Sequence, residues 1–144
     1  MVNVVIGIIT YKRLEGLKAL VNSINDLYMP DACSLSILVV DNAQESEVSD
    51  YIDDCVLNVE ISYVIEPEKG IPYARNRILD SVSEYTDFII MIDDDEVVRK
   101  EWLIELFKCQ EKYNASAVLG KVEPIFESVK CDFINSYFTK DPYS

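Results

Sequence analysis

Five short runs rich in valine, isoleucine and leucine set the narrowest limit on what this chain can fold into. They fall at 2–10, 35–41, 60–66, 87–93 and 115–122. Between them the spacing of the apolar residues changes. Over 14–28, Leu17, Leu20, Val21, Ile24 and Leu27 recur every three or four positions, which collects them on one face of a helix. The segment 45–56 reads as a short acidic helix, and 72–85 as a helix opened by Pro72 in its first turn. A last helix at 100–113 carries Trp102, Leu103, Leu106 and Phe107 along one side. A strand that is apolar at nearly every position must be covered on both faces. Such strands alternating with amphipathic helices predict an α/β chain with a mostly parallel central sheet and helices on both faces. Residues 123–144 have no clear period, so the expected division is an α/β domain over 1–122 followed by an incomplete region over 123–144.

Composition narrows the chemistry. At 144 residues and 49% hydrophobic content the chain has the size and apolar share of one ordinary domain. No run approaches the roughly 18 apolar residues of a membrane span, and membrane association is expected only through regions beyond this chain. The opening MVNVVIGIITYKR has no basic leader and no small-residue cleavage site, so it reads as a strand rather than a signal peptide. Cys33, Cys55, Cys109 and Cys131 are widely spaced, as expected of buried thiols in a reducing cytoplasm. There is no histidine, which excludes Ser-His-Asp and Cys-His nucleophiles and disfavours zinc. The formal charge of −13 argues against nucleic acid as a partner. It would also repel a phosphate-bearing ligand unless a divalent cation intervened.

In an open α/β sheet ligands bind beyond the carboxyl ends of the strands, so the residues following each strand are the candidates. The first strand runs into Thr10, Tyr11, Lys12 and Arg13, and the second into Asp41 and Asn42. The third runs into 66–70 with Lys69 and Gly70, and the fourth into Asp93, Asp94, Asp95 and Glu96. Three adjacent carboxylates repel one another, and their hard oxygens suit Mn2+ or Mg2+ held jointly with substrate phosphates. The competing reading is a solvated acidic turn that starts the next helix. Asp41 can accept from a base N–H or a ribose hydroxyl, or can cap the helix that follows it. Arg75 and Asn76, early in the helix opened by Pro72, can meet an anion, or Arg75 can pair with Asp93 or Asp94. Only four glycines occur, Gly7, Gly16, Gly70 and Gly120, and neither GxGxxG nor a P-loop is present.

In this order the motifs resemble the family 2 glycosyltransferases of the GT-A, Rossmann-like fold. They are Thr10-Tyr11-Lys12-Arg13, Val39-Val40-Asp41-Asn42-Ala43, Gly70 through Ala74-Arg75-Asn76, and Ile92-Asp93-Asp94-Asp95-Glu96 with Trp102-Leu103. Gly120-Lys121-Val122-Glu123-Pro124 completes the series. The resemblance implies a UDP- or dTDP-sugar donor, a saccharide or lipid-linked acceptor, and transfer with inversion in polysaccharide biosynthesis. It implies that Thr10, Tyr11 and Arg13 line the nucleotide pocket, with Asn42, Lys69 and Gly70 also at the substrate. Asp41 meets the base and Arg75 the base or ribose. Asp93–Asp95 form the DXD motif, with ribose contact from Asp93 or Asp94 and metal on Asp95 and Asp93. Asn-Ala after Asp41 departs from the Asp-Gly-Ser of many members, which leaves the donor open. The family's general base lies further downstream and is expected beyond Ser144, with Glu123 and Asp132 candidates only by default. The chain therefore reads as the donor-binding part, truncated at its C-terminus. The alternative is a nucleotide-sugar or metal-binding module without chemistry.

Overall fold

The computed structural model describes residues 1–125. Its elements are β1 (Val2–Thr10), α1 (Leu14–Asn25), β2 (Cys33–Asp41), α2 (Ser46–Asp54), β3 (Glu60–Ile65), α3 (Ile71–Ser81), β4 (Phe88–Asp93) and α4 (Trp102–Tyr113). The strands form one sheet in the order β3-β2-β1-β4, parallel throughout. From β1 the chain steps outward to β2 and β3, then returns to place β4 on the other side of β1. Right-handed crossovers put helices on one face while the chain steps in one direction and on the opposite face once it reverses.

The packing follows that rule. Val4, Ile6 and Ile8 of β1 and Leu35, Ile37 and Val39 of β2 point to one face. There they meet Leu17, Leu20, Val21 and Ile24 of α1, Val48 and Ile52 of α2, and Leu103 of α4. The alternate residues Leu38 and Val40 face Ala74 and Ile78 of α3, the helix made after the reversal. β1 is thus apolar on both faces, as its unbroken run requires. Gly7 is the exception within it: a Cβ there would lie 2.6 Å from Ile78 Cγ2, so the missing side chain lets α3 settle on the sheet.

Two compact units divide the chain, Met1–Lys108 and Cys109 onward. The first holds the whole sheet. The strand expected at 115–122 is not formed: the segment is irregular, and Leu119 is 97% exposed. An apolar run becomes a strand only by pairing, and no strand among the described residues pairs with it. Cys33, Cys55 and Cys109 are free and half-buried rather than buried. Among the described residues no helix is long and apolar enough to cross a membrane. Cys131, Asp132, Tyr137, Phe138, Tyr143 and most of the expected 123–144 region lie outside the described residues.

Adding a methyl at position 7 should strain the β1–α3 contact. Gly7→Ala is expected to cost about 1–3 kcal/mol in urea unfolding, the usual range for overpacking. Ile78→Ala should cost less in that background than alone, because it vacates the space that the new methyl needs.

Candidate functional site

Burying a polar group is unfavourable unless it is hydrogen-bonded, so buried polar residues mark where a fold commits its interactions. Those described here are Thr10, Asp41, Asn42 and Asp94, each at most 7% exposed, and all lie where strands end at the carboxyl edge. No buried side-chain nitrogen or oxygen among the described residues lacks a partner.

The reversal of strand order makes the carboxyl ends of β1 and β4 a topological switch point, where open α/β sheets bind ligands. Side chains alternate between the two faces of a strand. Asp93 is the last residue of β4, and the turn that follows carries Asp94 and Asp95. Asp93 is in register with Ile9 and so lies on the α3 side, where its carboxylate is 4.0 Å from the Arg75 guanidinium. Asp94 turns the other way. Its Oδ2 accepts from the Thr10 hydroxyl at 2.8 Å and from the Tyr11 N–H at 3.3 Å. Asp95 is exposed and pairs with Arg13 at 2.8 Å. Burial raises the pKa of Asp94, and the charge of Asp95 adds to the rise. The bonds from Thr10 and Tyr11 and the charge of Arg13 oppose it. Gly16, in the first turn of α1, lies so close to the Asp94 carbonyl that any Cβ would collide with backbone.

At the end of β2 the carboxylate of Asp41 accepts four bonds. Its Oδ1 takes the N–H groups of Ala43 at 2.7 Å and Gln44 at 3.0 Å. Its Oδ2 takes the N–H of Glu45 at 2.7 Å and the hydroxyl of Tyr63 at 3.0 Å. Burial and this bond to Asp41 push the Tyr63 pKa up to about 12. Asn42 spans the gap to the β3–α3 loop. Its Nδ2 donates to the carbonyls of Glu66 at 2.9 Å and Glu68 at 2.7 Å, and its Oδ1 accepts from the Gly70 N–H at 2.8 Å. Gly70 has φ of 139°, a conformation that disfavours any side chain, and its carbonyl accepts from Ala74 N–H in the first turn of α3.

The expected residues therefore gather in two groups. Thr10, Tyr11, Arg13, Asp93, Asp94, Asp95 and Arg75 meet at the carboxyl ends of β1 and β4, while Asp41, Asn42 and Gly70 build the β2–β3 side; Lys69 is exposed beside them. Two expectations change in character. Asp41 is not the cap of α2, whose N-cap is Glu45 with no side-chain cap bond; it organises the 43–45 segment before that helix, and all four of its acceptor positions are taken. Asn42 spends its amide on the loop rather than offering it outward. Tyr63 and Gly16 were not anticipated. A glycine within a helix costs about 1 kcal/mol against alanine, so Gly16 was the signal of a close approach. Tyr63 is found only once the register sets it beside Val39, on the face that Asp41 also uses.

Among the described residues no group of three or more histidine, cysteine, aspartate or glutamate side chains converges as a preformed metal cage. Asp93 and Asp95 nevertheless present hard oxygens at the exposed edge, each facing an arginine. Such a donor set fits Mg2+ or Mn2+ in the mode in which one or two carboxylates share the ion with phosphates and water.

A family model described as glycosyl transferase family 2 matches residues 5–136. The chain belongs to that family. The succinoglycan biosynthesis protein ExoM of Rhizobium meliloti (strain 1021) is 34% identical over 119 residues, covering 81% of this chain and 38% of ExoM. Among solved structures, S. aureus TarS resembles it with a TM-score of 0.58 at 24% identity, over 86% of this chain and 23% of that one. TarS 1-349 in complex with UDP-GlcNAc gives 0.55 at 22%, over 87% and 37%. These structural likenesses support the fold of this family 2 chain, which spans well under half the length of each relative named.

The buried acid gives a test of sign. A carboxyl whose folded pKa is raised stabilises the fold fully below its unfolded value, and that contribution is lost as pH rises through the folded pKa. Asp94→Asn keeps an acceptor for Thr10 and Tyr11 without the charge. In metal-free buffer it should melt above the wild type at about pH 7. The gap should close as pH falls toward the ordinary value of 3.8. A lower melting temperature at neutral pH would mean that the ionised bonds outweigh the burial.

Proposed function

We propose that this chain forms the donor site of a metal-dependent glycosyltransferase that moves a sugar from a UDP- or dTDP-sugar to a saccharide or lipid-linked acceptor with inversion. The observation that carries the reading is the cluster at the carboxyl ends of β1 and β4, where Thr10 fixes Asp94, Arg13 faces Asp95 and Arg75 faces Asp93. It lies where an open parallel sheet binds ligands. Family membership, and a structural relative in complex with UDP-GlcNAc, support a nucleotide-sugar as the ligand.

In this reading the two arginines are the groups that meet the diphosphate. A guanidinium offers a planar fork matched to phosphate oxygens, and both are exposed. Asp95, with Asp93, would hold the divalent cation, which supplies Lewis-acid stabilisation of the departing nucleotide when bound. Asp94, anchored on Thr10, keeps the turn between them from moving. Gly70 and Lys69 let the β3–α3 loop approach the nucleotide, and Tyr11 closes the β1 side. A base contact at Asp41 would replace one of its four present bonds. Inversion follows from a single displacement at the anomeric carbon with an acceptor hydroxyl activated by a carboxylate. We assign that base to none of the described residues: Glu123 pairs with Lys121 at 3.6 Å within the second unit.

Calorimetric titration with UDP and dTDP, with and without Mn2+, tests the reading beside Asp95→Ala. Binding should require the metal. Loss even of groups that only support a metal ligand costs ~10–100-fold, so removal of Asp95 should weaken binding at least tenfold. Metal-independent binding, or an unaffected variant, overturns the assignment of Asp95.

A further inference from the structure

The structure assigns Asn42 as a positioning residue that sets where α3 begins, and through it where Arg75 stands at the donor edge. The inference rests on the donor-site reading for its function, and on the geometry of one amide for its mechanism. Asn42 is 5% exposed and makes three bonds to one short loop. Two are donated to carbonyls and one is accepted from an N–H. Among the side chains only a primary amide carries two N–H donors and an acceptor on one planar group. The pattern also fixes its orientation, since the reversed amide would set its oxygen against two carbonyl oxygens and its NH2 against an N–H.

The loop is also tied by the Glu66 N–H to the Asp41 carbonyl at 3.0 Å and by the Glu68 N–H to the Glu66 carboxylate at 2.8 Å, but neither bond reaches Gly70. Gly70 adopts a backbone conformation open to glycine, and its N–H is spent on Asn42 while its carbonyl starts α3. Arg75 follows within the next turn and a half and faces Asp93. Asn42 itself is fastened to the first strand, its N–H donating to the Thr10 carbonyl at 3.0 Å. A continuous path thus runs from the end of β1 through Asn42 and Gly70 to the guanidinium facing β4. Aspartate, which the resemblance places at this position in many family members, would have the same shape but would not fit the two carbonyls that this loop presents. It would set acceptor against acceptor at Glu66 and Glu68 and a second charge beside Asp41, and leaving such buried partners unpaired is costly.

The test compares Asn42→Asp and Asn42→Ala with Ile24→Val, a core substitution in α1 remote from the loop. Three quantities are read on the folded chain: hydrogen exchange of the Gly70 amide, tryptic cleavage after Lys69, and affinity for UDP with Mn2+. The Asn42 variants should expose Gly70 and Lys69 and bind UDP about tenfold more weakly, with aspartate at least as damaging as alanine. Ile24→Val should lower stability and leave all three unchanged. Wild-type protection of the loop in Asn42→Asp, or wild-type UDP affinity with the loop released, overturns the inference. If the unaltered chain fails to bind UDP, the donor-site reading falls, while loop protection still decides whether Asn42 positions α3.

Discussion

β1 is hydrogen-bonded on both of its edges and covered on both of its faces, and the rest of the molecule is arranged by that confinement. Because β2 lies on one side and β4 on the other, the chain must reverse between β3 and β4. The reversal sends α3 to the face opposite α1, α2 and α4. It also leaves the carboxyl ends of β1 and β4 side by side with no crossover between them. The polar cluster is therefore a consequence of the strand order. The close contacts that hold it are backbone-scale: Gly7 against Ile78 on one face, and Gly16 against the Asp94 carbonyl at the rim.

Two buried acids do different work there. Asp41 accepts from three backbone N–H groups of the segment that follows it and from the Tyr63 hydroxyl of β3, so its acceptor positions are filled. Asp94 has fewer donors, and burial raises its pKa. The first acid shapes a segment. The second fixes a turn whose exposed neighbours, Asp93 and Asp95, remain at the surface where a ligand can reach them.

The sheet was legible in the sequence because β1, β2 and β4 carry the apolar runs 4–9, 37–40 and 88–92, and the central strands β1 and β2, covered on two faces, have few other compositions. Their polar ends could be read as one edge once the strands were taken as parallel. The division of the triplet among Arg75, Thr10 and Arg13 could not, because it depends on which residue of β4 pairs with Ile9. The role of Asn42 was hidden for a similar reason. Its partners are main-chain atoms of residues 66–70, and main-chain atoms leave no mark in composition. The run at 115–122 misled because small and apolar residues look alike whether or not a neighbouring strand is there to pair with them.

The arginine–aspartate pairs at the rim give the donor edge a particular electrical character. Each exposed guanidinium already faces a carboxylate, so the edge carries little of the excess negative charge that the chain bears as a whole. Arrival of a diphosphate with a divalent cation would exchange partners, arginine moving from carboxylate to phosphate and carboxylate from arginine to metal. On the proposed reading the two arginine–aspartate pairs would become four contacts, two of arginine with phosphate and two of aspartate with the cation. Both pairs are exposed, and salt screens exposed charges, so the arginine–aspartate pairs at the rim weaken as ionic strength rises.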